Sequence, residues 1–380
     1  MKKIIYLTTA MAPIDFAEVS KTSLITLNPS GQNFHYKLIT ALSKIGDVEV
    51  ISARPINPLS HDQKKYPGKD NGIFHYLKFT NTKLWRRFTL KSSAKTVLRP
   101  IIATNDDLVI FVDSLNVLLS EIAIKFGELY GIPVYGVLTD KPSNLSNVSN
   151  LYVQKVEKNF KQFSGFLTLT NSLNDYANTN AKPALIFPGL VTTPSKKNPK
   201  LISKYGDYFF FGGALYERYG VKNLVEAFRM LPTKNKLLIA GHGELNTYLE
   251  EQALLDKRIV FLGTLSEQEY NSYVTSSIGA INPRPLDQWI DLYSIPSKVL
   301  SFFNNGALVF SSDHPFLVTH FAKDYISLGE GSTSEIYDAL NKFLLSKKDY
   351  LAMRLRGQRD VQQLCQIDEV ATKLKKYIND

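Results

Sequence analysis

The run Tyr293–Lys298 combines residue types that could bind an anion at the start of a helix. A strand-like segment and a loop precede it, and we expect the helix to begin at Pro296, because proline is favoured in a first turn. Ser294 would then lie near the N-cap, with Ser297 and Lys298 in the first turn, where backbone N–H groups lack intrahelical acceptors. A lysine there opposes the helix dipole unless an anion such as a pyrophosphate binds beside it. The alternative is an exposed lysine that only aids solubility.

Two pairs of glycines follow strand-like segments in the same half of the chain. Gly212 and Gly213 end one such segment, and Gly241 and Gly243 follow the next. A turn without Cβ atoms lets backbone N–H groups approach a phosphate, and the helix that follows favours an anion there. Glycine is also the ordinary residue of left-handed turns, so a purely structural role is the alternative. The chain has no complete G-x-G-x-x-G at these turns and no P-loop pattern, which disfavours a dinucleotide dehydrogenase and a P-loop NTPase.

Two aspartates in the first half of the chain could act on a hydroxyl group. Asp113 and Asp140 each follow a predicted strand, where a carboxylate could orient or deprotonate an acceptor hydroxyl. Capping of the next helix is the alternative for each. For His35 the alternatives are a position facing the cleft and a position on the surface of its helix, and we expect the surface position. The six histidines show no metal-ligand spacing and Cys365 is the single cysteine, so no metal site is predicted.

The segment 83–101 is basic and amphipathic. Six basic and no acidic residues fall between Lys83 and Arg99, Trp85 and Phe88 add aromatic bulk, and apolar residues recur at helical spacing. This pattern is typical of a helix that binds an anionic membrane surface. A packed helix with a solvated basic face is the alternative. Nucleic acid is disfavoured as a partner, because the aromatic residues form no stacking platform and no nucleic-acid-binding motif occurs.

Length and composition limit the class of protein. The 380 residues fit two domains of about 150–200 residues each, and 44% hydrophobic residues suffice for packed cores. The net charge of +10 favours an anionic partner, whether a phosphorylated substrate, a membrane surface or a nucleic acid. A single cysteine suits a reducing compartment, the N-terminal apolar run is interpreted as a strand rather than a signal peptide, and no apolar stretch is long enough to span a membrane. We therefore expect a cytoplasmic protein.

Strand-like and helical segments alternate along both halves of the chain. The first half begins with a strand at 3–8 and a helix at 34–45, and the second begins afresh with a strand at 208–211. We interpret the proline- and lysine-rich segment 187–204 between them as an interdomain linker. Strands separated by helices predict α/β domains with doubly wound sheets, in which ligands bind at the carboxyl ends of the strands. The other predicted strands are 48–52, 108–112, 134–138, 166–170, 236–240, 259–262, 279–282 and 308–311. The other predicted helices are 118–129, 151–163, 221–230, 245–254, 267–274 and 296–303, and the tail from 333 to 380 is also expected to be helical.

A series of short motifs extends over nearly the whole chain and is densest between Tyr208 and Asp313. The motifs are FGGAL at 211–215, GV at 220–221, LVEAF at 224–228, LLIAGHG at 237–243, VFLG at 260–263, PSK at 296–298, GALV at 306–309 and VLTD at 137–140. This pattern resembles that of the GT-B-fold glycosyltransferases of family 4, also called group 1. The Pro-Ser-Lys form resembles a subgroup that builds bacterial surface polysaccharides.

The resemblance implies an α/β protein with two Rossmann-like domains facing a cleft. Residues 1–192 would form the acceptor-binding domain and residues 193–364 the donor-binding domain, with a C-terminal helix at 365–380 packing back on the first. The implied enzyme is a metal-independent, retaining hexosyltransferase that needs no cofactor. It would transfer a sugar from a UDP-hexose or dTDP-rhamnose type of donor to a saccharide acceptor, lipid-linked and used in surface polysaccharide synthesis. A location on the inner membrane face follows from that acceptor.

Several positions depart from the family pattern. Where many members carry an arginine and a lysine for the donor diphosphate, this chain has Ala214 and Tyr219, with Arg218 as the substitute. Tyr293 and Ser301 stand where other members have the two glutamates of an E-x7-E motif. A non-catalytic GT-B-fold partner subunit of an active glycosyltransferase is therefore the alternative function. A two-domain nucleotide-sugar epimerase is a further alternative, disfavoured because it would need more acidic and histidine residues in the cleft.

The predicted site residues follow from the motifs and the resemblance together. Thr139 replaces a histidine of many family members and the neighbouring Asp140 remains, so Asp140 and Lys298 are the predicted catalytic residues. Cationic side chains and a helix N-terminus would stabilise the charge of a leaving diphosphate, and no D-x-D motif points to a metal ion. The predicted donor-binding residues are Gly212, Gly213, Arg218, Gly241, Gly243, Arg284, Tyr293, Ser294, Ser297 and Lys298.

Overall fold

The computed structural model of the chain describes residues 2–25, 27, 29–146, 148–346 and 348–379. Two compact units make up the chain. One contains Met1–Leu190 together with Ile367–Asp380, and the other contains Val191–Gln366. The resemblance implies boundaries at 192/193 and 364/365, whereas the two units meet at 190/191 and 366/367. Among the described residues, no helix has both the length and the apolar character needed to cross a bilayer.

The strands and helices alternate as expected for βαβ units. The strands are β1 Lys3–Thr8, β2 Asp47–Ser52, β3 Lys65–Tyr66, β4 Lys69–Asn71, β5 Phe74–Tyr76, β6 Phe79–Thr80, β7 Leu108–Asp113, β8 Val134–Leu138, β9 Gly165–Thr168, β10 Ala184–Ile186, β11 Tyr208–Ala214, β12 Lys236–His242, β13 Ile259–Gly263, β14 Gly279–Asn282, β15 Val309–Ser311 and β16 Tyr325–Ser327. The helices are α1 Pro13–Lys21, α2 Pro29–Leu42, α3 Trp85–Ala103, α4 Val117–Tyr130, α5 Asn150–Phe160, α6 Asn171–Ala177, α7 Pro199–Tyr205, α8 Val221–Met230, α9 Asn246–Leu255, α10 Glu267–Ser276, α11 Ser297–Asn304, α12 Pro315–His320, α13 Thr333–Leu345, α14 Leu351–Cys365 and α15 Ile367–Tyr377.

The first unit is built on a sheet with the strand order β10-β9-β8-β7-β1-β2-β5-β4. Its strands pair in parallel, except that β4 runs antiparallel to β5. The two central strands, β1 and β7, are buried at every position, because helices cover both faces of the sheet. The chain leaves β1 for one side of the sheet and returns to β7 on the other. The strand order therefore reverses between β1 and β7.

The second unit repeats this plan in a parallel sheet with the order β13-β12-β11-β14-β15-β16. Four consecutive aromatic residues of β11, Tyr208 to Phe211, are fully buried and supply both faces of the sheet with core side chains. The first strands extend from β11 to one side, and β14 then pairs with the other side of β11. The point of reversal is thus between β11 and β14, where such sheets bind ligands at the carboxyl ends of the strands.

The segment around the first unit boundary is more ordered than a linker. The predicted linker 187–204 contains Phe187 in the core of the first unit and the start of α7 in the second. Asn198 caps α7 by accepting a hydrogen bond from the Lys200 N–H, and Pro199 occupies the first helical position. The end of this segment therefore begins a helix, and the part before it connects the two units.

Several short elements were not predicted from the sequence. The segment between β2 and α3 forms the small strands β3 to β6, which are two or three residues long and too short for a hydrophobic period. The helix α1 and the edge strands β10 and β16 were also not predicted. The helical tail is three separate helices, α13 to α15.

The last helix, α15, belongs to the core of the first unit. Val370, Ala371 and Leu374 are buried in the cluster that also contains Ile4, and the Tyr377 hydroxyl donates to the Phe166 carbonyl. A helix that follows the whole second unit in sequence therefore completes the core of the first.

Leu374→Ala tests this packing. The substitution removes a fully buried side chain, and we expect the free energy of unfolding of the first unit to fall by about 2–5 kcal/mol. Lys375→Ala, on the exposed side of the same helix, is the matched control and should change it by less than about 0.5 kcal/mol. Equal effects of the two substitutions in denaturant unfolding would show that α15 is not packed as described.

Candidate anion-binding site

The predicted donor-binding residues gather where the sheet of the second unit reverses its order. Phe209 and Phe210 of β11 lie in register with Gly279 and Ala280 of β14, so both strands end at the same edge. Beyond that edge, β11 leads to a 3-10 turn and α8, while β14 leads through the loop 283–296 to α11. The connections diverge from neighbouring strands, which leaves room for a ligand between them.

Helix α11 begins at Ser297, one residue later than predicted. Pro296 has a non-helical ψ of 76° and occupies the cap position, so the prediction that it begins the first turn is wrong. Ser294 is extended and ends the short 3-10 turn Asp291–Tyr293, and so does not cap α11. Ser297 and Lys298 are the first two helical residues, as expected. Within the described residues, the Lys298 N–H has no hydrogen-bond acceptor.

The Lys298 side chain extends back over the end of β11. Its Nζ lies 4.7 Å from the centre of the Phe211 ring and 5.4 Å from that of Tyr219. A Cβ on Gly213 would lie 2.6 Å from this Nζ, and the Gly213 φ of +155° also disfavours other residues. The backbone conformation therefore favours glycine at position 213, and the ammonium lies close beside it.

The Lys298 ammonium carries a charge that the protein does not neutralise. Burial, reinforced by repulsion from Arg284, lowers its pKa to about 8. In the described part of the chain, no carboxylate lies within 4.0 Å of Nζ. A bound anion would restore the missing countercharge and would also accept a hydrogen bond from the free N–H of α11.

Arg284, the other nearby cation, is already paired. Its guanidinium donates to Oδ1 of the buried Asp291 at 2.8 Å, and Oδ2 of Asp291 accepts from the Asp287 N–H at 2.8 Å. The Nε2 atom of His314 lies 3.5 Å from the same Oδ1, and burial lowers the pKa of His314 to about 4, so His314 is neutral at pH 7. The Arg284–Asp291 pair is therefore close to neutral overall, and Lys298 supplies the net charge.

Arg218 also lies close to Tyr219. Its guanidinium is exposed and stacks on the rings of Tyr216 and Tyr219, with centroid distances of 5.5 and 5.2 Å. The Tyr219 ring thus contacts both Arg218 and Lys298. Tyr219 stands where many family members have a lysine, and its contact with both cations was not predicted from the sequence.

The remaining predicted glycines have close backbone neighbours. Gly212 and Gly213 lie within β11 rather than after it, and a Cβ on Gly212 would collide with the Tyr270 ring. A Cβ on Gly241 would lie 1.8 Å from the Gly213 carbonyl oxygen, and one on Gly243 would lie 2.4 Å from that of Leu215. Packing between the ends of β11 and β12 accounts for these glycines without a ligand. Their role in binding a donor stays a prediction.

The serines and Tyr293 flank the start of α11. Tyr293 is half-buried in the 3-10 turn, and Ser297 is exposed at the first helical position. The Ser294 hydroxyl is buried, and no described residue is a hydrogen-bond partner for it. Buried hydroxyls are ordinarily paired, so Ser294 is a candidate contact for a ligand polar group.

The first unit carries a separate polar cluster where its own sheet reverses order. Asp113 ends β7, and its Oδ2 lies 3.7 Å from His35 Nε2, while the Tyr6 hydroxyl lies 2.5 Å from His35 Nδ1. His35 is only 5% exposed, so the prediction of a surface histidine is wrong. Burial lowers its pKa, which keeps the ring neutral. The cluster was not predicted, because Tyr6, His35 and Asp113 lie far apart in the sequence, on β1, α2 and β7.

Asp140, the predicted catalytic carboxylate, follows β8 and is partly exposed. It lies in the same unit as Asp113, and each follows one of two adjacent strands of the sheet, β8 and β7. Among the described residues, no group of three or more His, Cys, Asp or Glu side chains is arranged to hold a metal ion.

Arg284→Gln tests the electrostatic arrangement of the site. Removing the neighbouring cation should raise the pKa of the Lys298 ammonium above about 8, because repulsion from Arg284 lowers it. The measurement is an NMR titration of the lysine side-chain carbons, with Lys298→Arg to assign the signal. Arg218→Gln, which removes an exposed cation, is the control and should leave the pKa unchanged. A wild-type pKa near 10.5 would contradict the described burial.

The fold of this chain is similar to that of several solved structures. No protein-family model matches the chain, and no curated protein sequence matches it either. The chain is similar in structure to sucrose-phosphate synthase from Thermosynechococcus elongatus, with 12% identity, a TM-score of 0.71 and coverage of 100% of this chain and 98% of that one. It is also similar to Anabaena HepE in complex with UDP, with 10% identity, a TM-score of 0.68 and full coverage of both chains. The lipopolysaccharide outer core galactosyltransferase WaaB matches with 11% identity, a TM-score of 0.62 and 99% coverage of each chain. The chain has the GT-B fold of glycosyltransferases.

Proposed function

We propose that this protein is a glycosyltransferase that transfers a sugar from a nucleoside diphosphate to a saccharide. The observation that carries the proposal is the unneutralised Lys298 ammonium, held at the start of α11 and beside the carboxyl ends of β11 and β14. A diphosphate has the charge and the acceptor oxygens that this position lacks. The structurally similar HepE was crystallised with UDP, which supports a nucleotide of this kind as the ligand.

The chemistry would require charge stabilisation more than covalent participation by the protein. As the bond between the sugar and the diphosphate breaks, negative charge develops on the leaving phosphate oxygens. Lys298, the free N–H of α11 and Arg218 would stabilise that charge, and Arg284, fixed by Asp291, would add a hydrogen-bond donor. Gly212, Gly213, Gly241, Gly243, Tyr293, Ser294 and Ser297 remain the proposed surroundings of the donor. A metal-independent reaction with retention of configuration is part of the proposal and follows from the resemblance to family 4.

The acceptor would react in the first unit. We propose Asp140 or Asp113 as the carboxylate that orients and deprotonates the acceptor hydroxyl. The proposed acceptor is a lipid-linked saccharide used in bacterial surface polysaccharide synthesis, with a donor of UDP-hexose or dTDP-rhamnose type. WaaB, whose name describes a lipopolysaccharide galactosyltransferase, supports this class of product. The protein would then act in the cytoplasm, on the inner membrane face, with the segment 83–101 as its membrane contact.

A non-catalytic partner subunit is the second candidate function. This candidate is favoured because neither residue at the two glutamate positions of the family's E-x7-E motif is acidic in this chain. Ser301 stands where a glutamate is expected and donates from its hydroxyl to Asn271 at 3.3 Å, and the other position is Tyr293. Such a subunit could bind a nucleotide without turning it over, so binding and transfer must be measured separately.

Lys298→Ala tests the diphosphate site. Loss of a charge-assisted contact of about 1.5–3 kcal/mol should weaken UDP or dTDP binding about 10- to 100-fold in calorimetry. Lys222→Ala removes the same charge from a half-buried lysine of α8 that pairs with Glu217, and this variant should bind as the wild type does. No detectable binding of UDP or dTDP to the wild-type protein would contradict the enzyme proposal.

The pH dependence of UDP binding provides an independent readout. A bound diphosphate favours the ammonium form, so binding should raise the Lys298 pKa from about 8 and should take up protons at pH 8. UDP affinity should then fall as the pH rises through about 8, and Lys298→Arg should remove this dependence. Proton release on binding, measured in buffers of different ionisation enthalpy, would contradict the proposed contact.

Substitution of the two aspartates tests the acceptor role. If Asp140 is the catalytic carboxylate, Asp140→Asn should lower the rate of sugar transfer, or of donor hydrolysis, by about 100-fold or more while UDP affinity stays unchanged. Asp113→Asn serves as the comparison, and the larger loss identifies the reacting group. Unchanged turnover in both variants would show that neither carboxylate acts on the acceptor.

A further inference from the structure

Helix α3 leaves three large apolar side chains exposed at its start. Leu84, Trp85 and Phe88 are 86%, 59% and 66% exposed, and the Trp85 and Phe88 rings pack edge-to-face at 6.2 Å. The opposite side of the helix is anchored by the buried residues Leu90, Ala94, Leu98 and Ile102. The exposed residues are therefore not needed for the packing of α3 itself. Three adjacent exposed hydrophobic residues on a well-anchored helix indicate contact with something outside the chain.

The basic residues of α3 divide into two groups. Three are occupied within the protein. Arg86 lies over the Phe79 ring at 5.4 Å, while Arg87 and Lys91 both pair with Glu121 of α4, at 2.5 and 2.8 Å.

The other three basic residues, Lys83, Lys95 and Arg99, point to solvent. No carboxylate among the described residues lies within 4.0 Å of these three. Phe88, Lys95 and Arg99 also share one side of the helix, since positions 88, 92, 95 and 99 follow helical spacing. The apolar residues and the free cations therefore form one continuous surface, which we call the α3 surface.

The charge at the start of α3 is unfavourable for the helix alone. The first turn contains no acidic residue, and Lys83, Arg86 and Arg87 all lie at the positive end of the helix dipole. An anion bound outside the protein would relieve this repulsion. Tryptophan and phenylalanine beside lysines are the residues that occupy the headgroup region of a bilayer.

We propose that the α3 surface binds the headgroup region of an anionic membrane, with Trp85 and Phe88 inserted and Lys83, Lys95 and Arg99 in contact with lipid phosphates. Apolar contact and electrostatic attraction are two separate contributions, and together they give reversible attachment. The choice of a lipid bilayer as the anionic partner, rather than an acidic protein, rests on the proposed function.

Vesicle sedimentation tests the proposal with the full-length protein. Vesicles of phosphatidylcholine and phosphatidylglycerol in equal parts should bind the protein, and pure phosphatidylcholine vesicles should bind it much more weakly. The double variant Lys95→Glu, Arg99→Glu should lower the partition coefficient about 30-fold or more, because two cationic contacts with the anionic surface are lost. In this conversion, about 1.4 kcal/mol corresponds to a factor of ten in the partition coefficient. Trp85→Ser with Phe88→Ser should lower it roughly tenfold or more. High salt should weaken binding of the wild type, because the charge contribution is screened.

Matched controls separate the α3 surface from general charge and hydrophobicity. Lys375→Glu with Lys376→Glu makes the same change in net charge on α15, and Leu254→Ser with Leu255→Ser removes two exposed leucines of α9. Both control variants should bind vesicles as the wild type does. Every variant should keep wild-type UDP affinity, so loss of vesicle binding and failure of the nucleotide site are distinguishable.

Fluorescence identifies the inserted residue. The chain has two tryptophans, Trp85 and Trp289, so Trp289→Phe leaves Trp85 as the single reporter. Its emission should shift to the blue with the anionic vesicles, whereas Trp85→Phe should show no shift. Wild-type vesicle binding by both α3 variants would overturn the proposal, as would equal binding to both kinds of vesicle. Binding of single-stranded RNA that the α3 variants lose, without any vesicle binding, would overturn it in favour of a nucleic-acid surface.

Discussion

The divergence of chain connections between two adjacent parallel strands determines where this protein can bind a ligand. After β11 the chain crosses to one side of the sheet, and after β14 it crosses to the other. Right-handed crossovers force the two connections apart at the carboxyl edge. The end of β11, the loop after β14 and the first turn of α11 follow these strands at that edge. Lys298, Arg284, Tyr219 and Gly213 come together there because of topology, although they are far apart in the sequence.

The electrostatics at this edge of the sheet depend on which cation is neutralised. Arg284 has a buried carboxylate partner in Asp291, which also fixes the backbone at Asp287. A buried pair of this kind adds little net charge, but it holds the loop before α11 in one conformation. Lys298 has aromatic rings and a glycine as neighbours instead of a carboxylate. The protein thus keeps one cation structural and leaves the other to attract an anion.

The first unit shows the same division between structural and available charge. On α3, Glu121 holds Arg87 and Lys91 against α4, which leaves the outward residues to contact a partner. At the reversal point of the sheet, the Tyr6 hydroxyl fixes the His35 ring next to Asp113. In both places a polar contact inside the protein determines which neighbouring group stays available to a ligand.

The class of the fold could be predicted from the sequence, because it depends on local hydrophobic periodicity. The buried strands 3–8, 108–113, 134–138 and 279–282 were predicted to within a residue, as continuous apolar runs require. The start of α11 was predicted within one residue, and Ser297 and Lys298 were correctly placed in its first turn. Strands of two or three residues carry too little periodicity to be predicted, as β3 to β6 show.

The pairing of polar residues depends on how distant segments of the chain pack in the folded protein. The sequence could not distinguish Arg86 and Arg87 from Lys95 and Arg99, because their partners Phe79 and Glu121 lie on other elements. Likewise, His35 was expected at the surface because the sequence does not reveal that Tyr6 and Asp113 surround it. A pairing energy depends on distance and burial, which appear only when distant segments pack together. Residue types indicated where an anion could bind, and packing determined that Lys298 is the cation left without a countercharge.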